Sequence, residues 1–194
     1  MNLHSLFPTT VAEFQLGRPF TEQEFNCAVN AEKIGNVSKN SYVLTELPEL
    51  KNIQQFVANS VVKYFHHIYR PSDKVSVCLT QSWFNYIDHN QPRYKHRYSN
   101  SFLSCVIYFK TSNDKLTFFR DGYEQISVSP TIGNAWVGDS WSLKAVPTYM
   151  YLFPSSLSHM IETAENKEAR ISLAFNTFLT GQLGSREHMT QLQI

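Results

Sequence analysis

Several common signatures are missing from this chain of 194 residues, and each absence argues against a class of protein. Lys and Arg total 17 against 16 Asp and Glu, so no excess of positive charge favours nucleic acid as a partner. Apolar runs stay well short of the roughly 18 residues of a membrane helix, so we expect no membrane partner. With only seven glycines, the chain has neither a glycine-rich dinucleotide fingerprint nor a phosphate-binding loop.

Secretory features are also scarce. The first residues carry neither a basic leader nor an apolar stretch of signal-peptide length. The three cysteines, Cys27, Cys78 and Cys105, are odd in number and show no Cys-x-x-Cys spacing. We therefore expect reduced thiols in a cytoplasmic protein.

The composition favours one folded domain. Hydrophobic residues make up 42% of the chain and aromatic residues 14%, which supports a sizeable core. We interpret residues 1–194 as one domain, with an N-terminal helical and strand extension (1–74), a β core (75–180) and a C-terminal tail (181–194).

Helical signals occupy the first third of the chain. Thr21 and Glu24 have the spacing of a capping box, which predicts a helix from about Thr21 to Lys33. From Pro48 onwards apolar residues recur every three or four positions, which predicts a second helix that ends before Pro71. The apolar stripe of this second helix comprises Leu50, Ile53, Val57, Val61, Tyr64 and Ile68.

Strand signals follow after Ser72, where the hydrophobic period shortens to two residues. The predicted strands begin at Val75 and continue at 102–109, 116–119, 134–143, 147–153 and 170–178. Short strands separated by turn residues indicate an antiparallel sandwich or barrel. The fold class is therefore mainly β (α+β), a jelly roll with the N-terminal helices packed on one face.

The last predicted strand carries a candidate anion site. Its side chains alternate, so that Ile171, Leu173, Phe175 and Phe178 should pack while Arg170, Ser172, Ala174 and Asn176 share the other face. A guanidinium beside a hydroxyl suits a carboxylate. For an isolated Arg-x-Ser, a solvated outer strand face is the alternative.

Two histidines precede this strand in the sequence and suggest a metal site beside the candidate anion site. His96 precedes an apolar strand, and His159 lies 63 positions later, 11 residues before Arg170. Two imidazoles from separate strands followed by an anion-binding strand match the order that iron(II) oxygenases use.

In this arrangement the chain resembles the iron(II)/2-oxoglutarate-dependent oxygenases, in particular small members encoded by marine and cyanobacterial bacteriophages. The resemblance runs through Leu6–Pro8, Ser41–Leu44, Ser82–Tyr86, Asn100–Ser104, Phe153–Ser155 and Arg170–Asn176. It implies a double-stranded β-helix, a jelly-roll variant, with Fe(II) and the cosubstrate 2-oxoglutarate inside one mouth of the barrel. The reaction it implies is oxidative decarboxylation of 2-oxoglutarate coupled to hydroxylation of a substrate.

The same resemblance implies the roles of individual residues. His96 and His159 are the implied iron ligands, and Arg170, assisted by Ser172, is expected to hold the distal carboxylate of 2-oxoglutarate. Asn85 and Tyr108 lie on strands that line the mouth, where either can hydrogen-bond the cosubstrate or the substrate; ordinary strand positions are the alternative for both.

One position departs from the family pattern. Two residues after the first histidine the superfamily usually has Asp or Glu, and the phage members are expected to have His, but this chain has Tyr98. A neutral phenol is a poor Fe(II) ligand. Tyr98 binding as phenolate, a two-histidine site completed by water or an outside carboxylate, and loss of the metal all remain open.

The sequence thus leaves two main hypotheses. The first is a phage-derived Fe(II)/2-oxoglutarate hydroxylase that acts in the host cytoplasm on an unknown protein or small molecule. The second is a non-catalytic jelly-roll module with a degenerate metal site, for example a phage particle component that contacts other phage proteins. A sugar-modifying or isomerase-type cupin is disfavoured because no Glu stands a few residues after His96.

Overall fold

Strands dominate the computed structural model, which describes residues 1–87, 94–122, 133–162 and 169–194. The strands are β1 (Ala12–Gln15), β2 (Lys33–Ile34), β3 (Val37–Ser38), β4 (Val75–Ile87), β5 (Leu103–Lys110), β6 (Lys115–Phe119), β7 (Ser140–Lys144), β8 (Tyr149–Pro154), β9 (His159–Glu162), β10 (Arg170–Leu183) and β11 (Leu192–Gln193). The helices are α1 (Glu22–Asn30), α2 (Val43–Glu46) and α3 (Lys51–Tyr69), with a 3₁₀ turn at Pro48–Leu50 before α3.

Within the described ranges the strands form a large and a small antiparallel sheet. The large sheet has the order β1-β8-β5-β10-β4-β3-β2, with β11 paired to β10, and the small sheet has the order β7-β6-β9. Sequence neighbours such as β4 and β5 are separated by β10, which is typical of a jelly roll and not of a simple meander. The predicted mainly-β jelly roll is confirmed.

Each face of the large sheet is covered by a different core. One face packs on the helices, and side chains such as Ile53 and Val57 of α3 meet Phe84 and Leu173 there. The opposite face packs on the small sheet through a second core of Val106, Tyr108, Leu116, Phe118, Ala145, Tyr151 and Phe153. The site described below lies between the two sheets, beside this second core.

The helices begin as predicted. The Thr21 hydroxyl accepts a hydrogen bond from the Glu24 amide at 3.2 Å, and the Glu24 carboxylate accepts one from the Thr21 amide at 2.8 Å. The helix stops at Asn30, earlier than predicted, because Lys33 starts β2. Helix α3 ends before Pro71 as predicted, although Ile68 lies exposed at its end.

Two strand predictions need correction. The strand predicted at 134–143 begins only at Ser140, because the Asn134 side chain accepts hydrogen bonds from the amides of Trp136 and Val137 and holds a turn. Phe178, predicted to pack with Phe175, is 37% exposed. The register of β10 against β4 shifts between Phe175 and Thr177, and this irregularity reverses the alternation beyond it.

The structure reports no disulfide for Cys27, Cys78 or Cys105, which lie half-buried, exposed and buried respectively. None of the helices in the described part of the chain has the length and apolar character needed to cross a membrane.

Candidate functional site

Two histidines face each other at the edge of the small sheet. The His96 amide donates to the His159 carbonyl at 3.0 Å, and the His159 amide donates back to the His96 carbonyl at 2.9 Å. Residues paired in this way in antiparallel chains place their side chains on the same face. The ring centroids lie 4.4 Å apart, so the fold brings two imidazoles together from positions 63 residues apart.

Both imidazole rings are held in the same way by the backbone. Nδ1 of His96 is 2.9 Å from the carbonyl oxygen of Tyr94, and Nδ1 of His159 is 3.0 Å from that of Leu157. A carbonyl only accepts, so we place a proton on Nδ1 of each ring; in the neutral form of either ring, Nε2 is then the acceptor, which in His96 faces the Tyr98 hydroxyl. Metal-binding histidines are commonly oriented by such a hydrogen bond.

Burial keeps His159 neutral. The residue is 5% exposed and packs edge-on against Phe153, with ring centroids 4.7 Å apart. Desolvation, opposed by the hydrogen bond to Leu157 and reinforced by His96, lowers the pKa of His159 to about 4. At neutral pH this imidazole is therefore an uncharged electron-pair donor.

Tyr98 stands beside the histidine pair, two residues after His96 on the same face. Its hydroxyl lies 3.4 Å from Nε2 of His96, and its ring centroid is 5.6 Å from that of His159. Its backbone is fixed by a hydrogen bond from the Tyr98 amide to the Ser155 carbonyl at 3.2 Å. Burial raises the pKa of Tyr98 to about 12, so the hydroxyl is a neutral phenol at physiological pH.

The predicted anion site is buried, and it lines the same cavity as the two histidines and Tyr98. Arg170 and Ser172 are each 1% exposed, at the start of β10 opposite Ile87 and Asn85 of β4. The solvated-surface alternative for this strand face is therefore wrong. A cavity of about 360 Å³ is lined by both ends of the predicted site: His96, Tyr98, His159, Asn85, Arg170 and Ser172.

Tyr108 has a different position from the other predicted residues. Tyr108 lies on β5 and pairs in register with Ser172 of β10. It is fully buried in the second core and does not line the cavity. Among the described residues its hydroxyl has no hydrogen-bond partner. Desolvation raises the pKa of Tyr108 far above its ordinary value, although the positive charge of Arg170 opposes this shift.

Asp114 is a site residue that sequence reasoning missed. It is completely buried just before β6, and its Oδ1 lies 3.5 Å from Nη1 of Arg170. The sequence shows Asp114 only as part of the turn Ser112-Asn113-Asp114. No local signal links this turn to an arginine 56 positions later, because the contact depends on the β5–β10 pairing.

The side chains at the site fit the groups that the resemblance implies only in part. The described residues contain no cluster of three or more His, Cys, Asp or Glu side chains able to hold a metal ion. Two imidazole nitrogens with a phenol beside them fit iron at two positions and leave the third to a weak donor. At the other end, the buried guanidinium and the Ser172 hydroxyl fit a carboxylate.

Comparison with known sequences identifies a family. Residues 81–176, about half of the chain, match the model of the family described as "Putative 2OG-Fe(II) oxygenase". This stretch runs from β4 to β10 and contains both histidines, Tyr98 and Arg170. No curated protein sequence matches the chain.

Solved structures share the fold at low sequence identity. The viral collagen prolyl hydroxylase vCPH from Paramecium Bursaria Chlorella virus-1 is 12% identical, with a TM-score of 0.57 over 92% of this chain and 97% of that one. AviO1 from Streptomyces viridochromogenes Tue57 is 10% identical, with a TM-score of 0.50 over 73% of this chain and 66% of that one.

A third structure, an oxidoreductase of the 2OG-Fe(II) oxygenase family from Burkholderia pseudomallei, is 11% identical. Its TM-score is 0.48, over 69% of this chain and 59% of that one. The chain thus spans less than two thirds of the length of AviO1 and of the Burkholderia protein.

Proposed function

We propose a specific site and reaction on the premise that this chain belongs to the 2OG-Fe(II) oxygenase family. His96 and His159 bind Fe(II), Arg170 and Ser172 bind the distal carboxylate of 2-oxoglutarate, and the enzyme is a hydroxylase. The observation that carries the proposal is that one cavity of about 360 Å³ is lined both by the two imidazoles and by the buried arginine.

The imidazole end of the cavity is prepared for a metal ion. Both Nδ1 atoms are engaged by backbone carbonyls, so neither ring has to change its tautomer or orientation to offer Nε2. The low pKa of His159 removes competition from protons at neutral pH. Iron and 2-oxoglutarate, when bound, supply the oxidising chemistry, in which O₂ converts 2-oxoglutarate to succinate and CO₂ and one oxygen atom enters the substrate.

The apolar residues between the two ends keep the site dry. Leu116, Phe153 and Ile161 line the same cavity as the histidine pair and Arg170. Excluding water strengthens the attraction between the guanidinium and a carboxylate. The cavity therefore favours a slender anion that reaches from the arginine to the imidazoles, as a five-carbon dicarboxylate does.

Polar residues around Arg170 can orient the cosubstrate. The Ser172 hydroxyl is available to donate to a carboxylate oxygen beside the guanidinium. Asn85 lines the cavity opposite Ser172, where its amide can donate to a bound oxygen. Tyr108 is the register partner of Ser172 on the neighbouring strand, and its hydroxyl has no hydrogen-bond partner among the described residues.

Tyr98 leaves three arrangements of the third metal position. As the phenol has a pKa of about 12, it stays protonated unless a metal ion displaces the proton. Of these arrangements, the neutral phenol favours two imidazoles completed by water or by an outside carboxylate. A phenolate ligand and a site without metal are the other two, and metal binding by Tyr98 variants separates them.

The source and partners of the protein are proposed only from resemblance. A phage origin is supported at the level of fold by the viral enzyme vCPH, whose name describes it as a collagen prolyl hydroxylase. Action in the host cytoplasm, incorporation in a virion and contact with other phage proteins stay predictions. The substrate, a protein or a small molecule, is unassigned.

Turnover of 2-oxoglutarate tests this function. We expect Fe(II)-dependent formation of succinate matched by consumption of O₂, slow in the absence of substrate. Arg170→Gln should abolish it, whereas Arg186→Gln, which changes an exposed arginine, should not. If the wild-type protein neither binds nor consumes 2-oxoglutarate, the non-catalytic jelly-roll module, to which the neutral phenol at Tyr98 already points, replaces the enzyme.

A further inference from the structure

A second buried charge, Asp114, lies beside Arg170, outside the set of residues that line the cavity. Asp114 has no exposed surface, and its Oδ2 accepts a hydrogen bond from the Ser112 amide at 3.1 Å. This bond fixes the carboxylate in its turn, while Oδ1 is directed towards Nη1 of Arg170. The carboxylate thus forms a buried ion pair with Arg170, the proposed cosubstrate-binding arginine.

The contact between the two charges is loose. The separation of 3.5 Å exceeds the roughly 2.7–2.9 Å of a charge-assisted hydrogen bond. Neither Oδ1 of Asp114 nor the hydroxyl of Tyr108 has a hydrogen-bond partner among the described residues. Two unsatisfied oxygens beside a guanidinium indicate a polar cluster that is not optimised for the free protein alone.

A buried guanidinium needs a compensating negative charge. Isolated in a low-dielectric site, it would be costly, and a carboxylate at 3.5 Å reduces that cost. The same carboxylate repels any second anion that approaches the arginine. Asp114 is therefore favourable for the free protein and unfavourable for an incoming dicarboxylate.

We propose that Asp114 is a resident counter-ion of Arg170 that weakens the binding of 2-oxoglutarate by competing with its distal carboxylate. The inference rests on the proposed function, because it requires 2-oxoglutarate to bind at Arg170. It assigns Asp114 a role in setting cosubstrate affinity through Arg170, which makes it a positioning residue.

A counter-ion role predicts opposite effects of an Asp114 substitution on the stability of the free protein and on 2-oxoglutarate affinity, whereas a purely structural role does not. Removing the charge of Asp114 should destabilise the free protein, since the arginine loses a partner, but should strengthen binding of 2-oxoglutarate, since the repulsion is gone. A residue that only supports the fold would weaken both properties when it is changed.

Thermal unfolding with and without 2-oxoglutarate, under anaerobic conditions with Fe(II), measures both effects. Asp114→Asn should lower the melting temperature of the free protein by roughly 5 °C or more. Its dissociation constant for 2-oxoglutarate, measured by calorimetry, should fall about tenfold, or about 1.4 kcal/mol. 2-Oxopentanoate, which has the same carbon chain without the distal carboxylate, should bind wild type and variant equally.

A matched control comes from another buried carboxylate. Glu24 is 1% exposed and pairs with Arg18 at 2.6 Å, so its partner is neither Arg170 nor a residue that lines the cavity. Glu24→Gln should lower the melting temperature and leave the affinity for 2-oxoglutarate unchanged. Asp114→Ser, a smaller uncharged replacement, serves as a second variant if Asp114→Asn does not fold.

The results of these measurements distinguish failure of the counter-ion role from failure of the proposed function on which it rests. If wild type binds 2-oxoglutarate and both neutral variants bind it equally or more weakly, the counter-ion role is overturned and the proposed function stands. If wild type shows no binding of 2-oxoglutarate, both are overturned. Tighter binding by either neutral variant, together with a less stable free protein, supports the inference.

Discussion

His96 and His159 exchange two backbone hydrogen bonds, and each ring then donates through Nδ1 to the carbonyl of the residue two positions earlier. The two residues therefore hold equivalent local environments although they come from different parts of the chain. This symmetry places both imidazole rings on the same side of the paired segments, with their centroids 4.4 Å apart. An exposed His96 and a buried His159 thus lie side by side, as the proposed metal site requires.

We expect Tyr98 to limit the metal affinity of the proposed histidine pair. Tyr98→His should place a third imidazole beside the other two and raise Fe(II) affinity about tenfold, or about 1.4 kcal/mol. Anaerobic calorimetric titration measures the change. Tyr42→His, which changes an exposed tyrosine that does not line the cavity, is the control. Unchanged affinity in Tyr98→His would show that this side chain does not face the metal.

Ser172 should contribute to cosubstrate binding and not to metal binding. Ser172→Ala removes a donor to a charged carboxylate, so the KM for 2-oxoglutarate should rise about tenfold with kcat little changed. Steady-state kinetics measure both constants. Thr180→Ala, an exposed change on the same strand, should leave them as in wild type, and an equal effect of the two variants would contradict the assignment.

Acid should destabilise the protein through His159. Its pKa is about 4 in the folded state, against about 6.5 in an unfolded chain. Between these values the unfolded chain binds a proton that the folded protein excludes, so the free energy of unfolding falls as the pH falls from about 6.5 towards 4. The full shift corresponds to about 3 kcal/mol.

Urea unfolding at pH 7 and pH 4.5 checks this dependence. His159→Gln should lose less stability between the two pH values than wild type does. His66→Gln, which changes an exposed histidine of α3, should follow wild type. The same loss in His159→Gln and wild type would assign the acid sensitivity to other groups.

A buried hydroxyl network supports the Tyr98 segment. Ser155 has no exposed surface, its hydroxyl lies 2.7 Å from those of Ser101 and Ser104, and its carbonyl accepts from the Tyr98 amide. Ser155→Ala leaves the buried Ser104 hydroxyl and the half-buried Ser101 hydroxyl with one partner fewer and should cost about 1–3 kcal/mol of stability. Chemical denaturation measures the loss, and Ser140→Ala, at an exposed position, should cost under about 0.5 kcal/mol. Equal losses would mean that the network does not stabilise the fold.

Local patterns predicted much of the fold. The Thr21–Glu24 capping box and the apolar stripe of α3 depend on residues three or four positions apart, and the structure confirms both except for the exposed Ile68. The alternation along β10 correctly separated Arg170 and Ser172 from Ile171 and Leu173. These features follow from interactions within single elements, which a sequence displays directly.

Features that depend on distant pairing escaped prediction. The outward position of Phe178 results from an irregular register against β4, and the contact of Asp114 with Arg170 results from strands 56 residues apart. The late start of β7 has a local cause, because the Asn134 side chain stabilises a turn within an otherwise strand-like stretch. In each case a pairing or hydrogen bond outweighs the hydrophobic pattern.

Anaerobic binding of Fe(II) tests most directly whether the two imidazoles form a metal site. We expect wild type to bind about one Fe(II) per chain and His159→Ala to lose that binding, while His66→Ala retains it. Failure of wild type to take up Fe(II), or equal uptake by His159→Ala, would contradict the account.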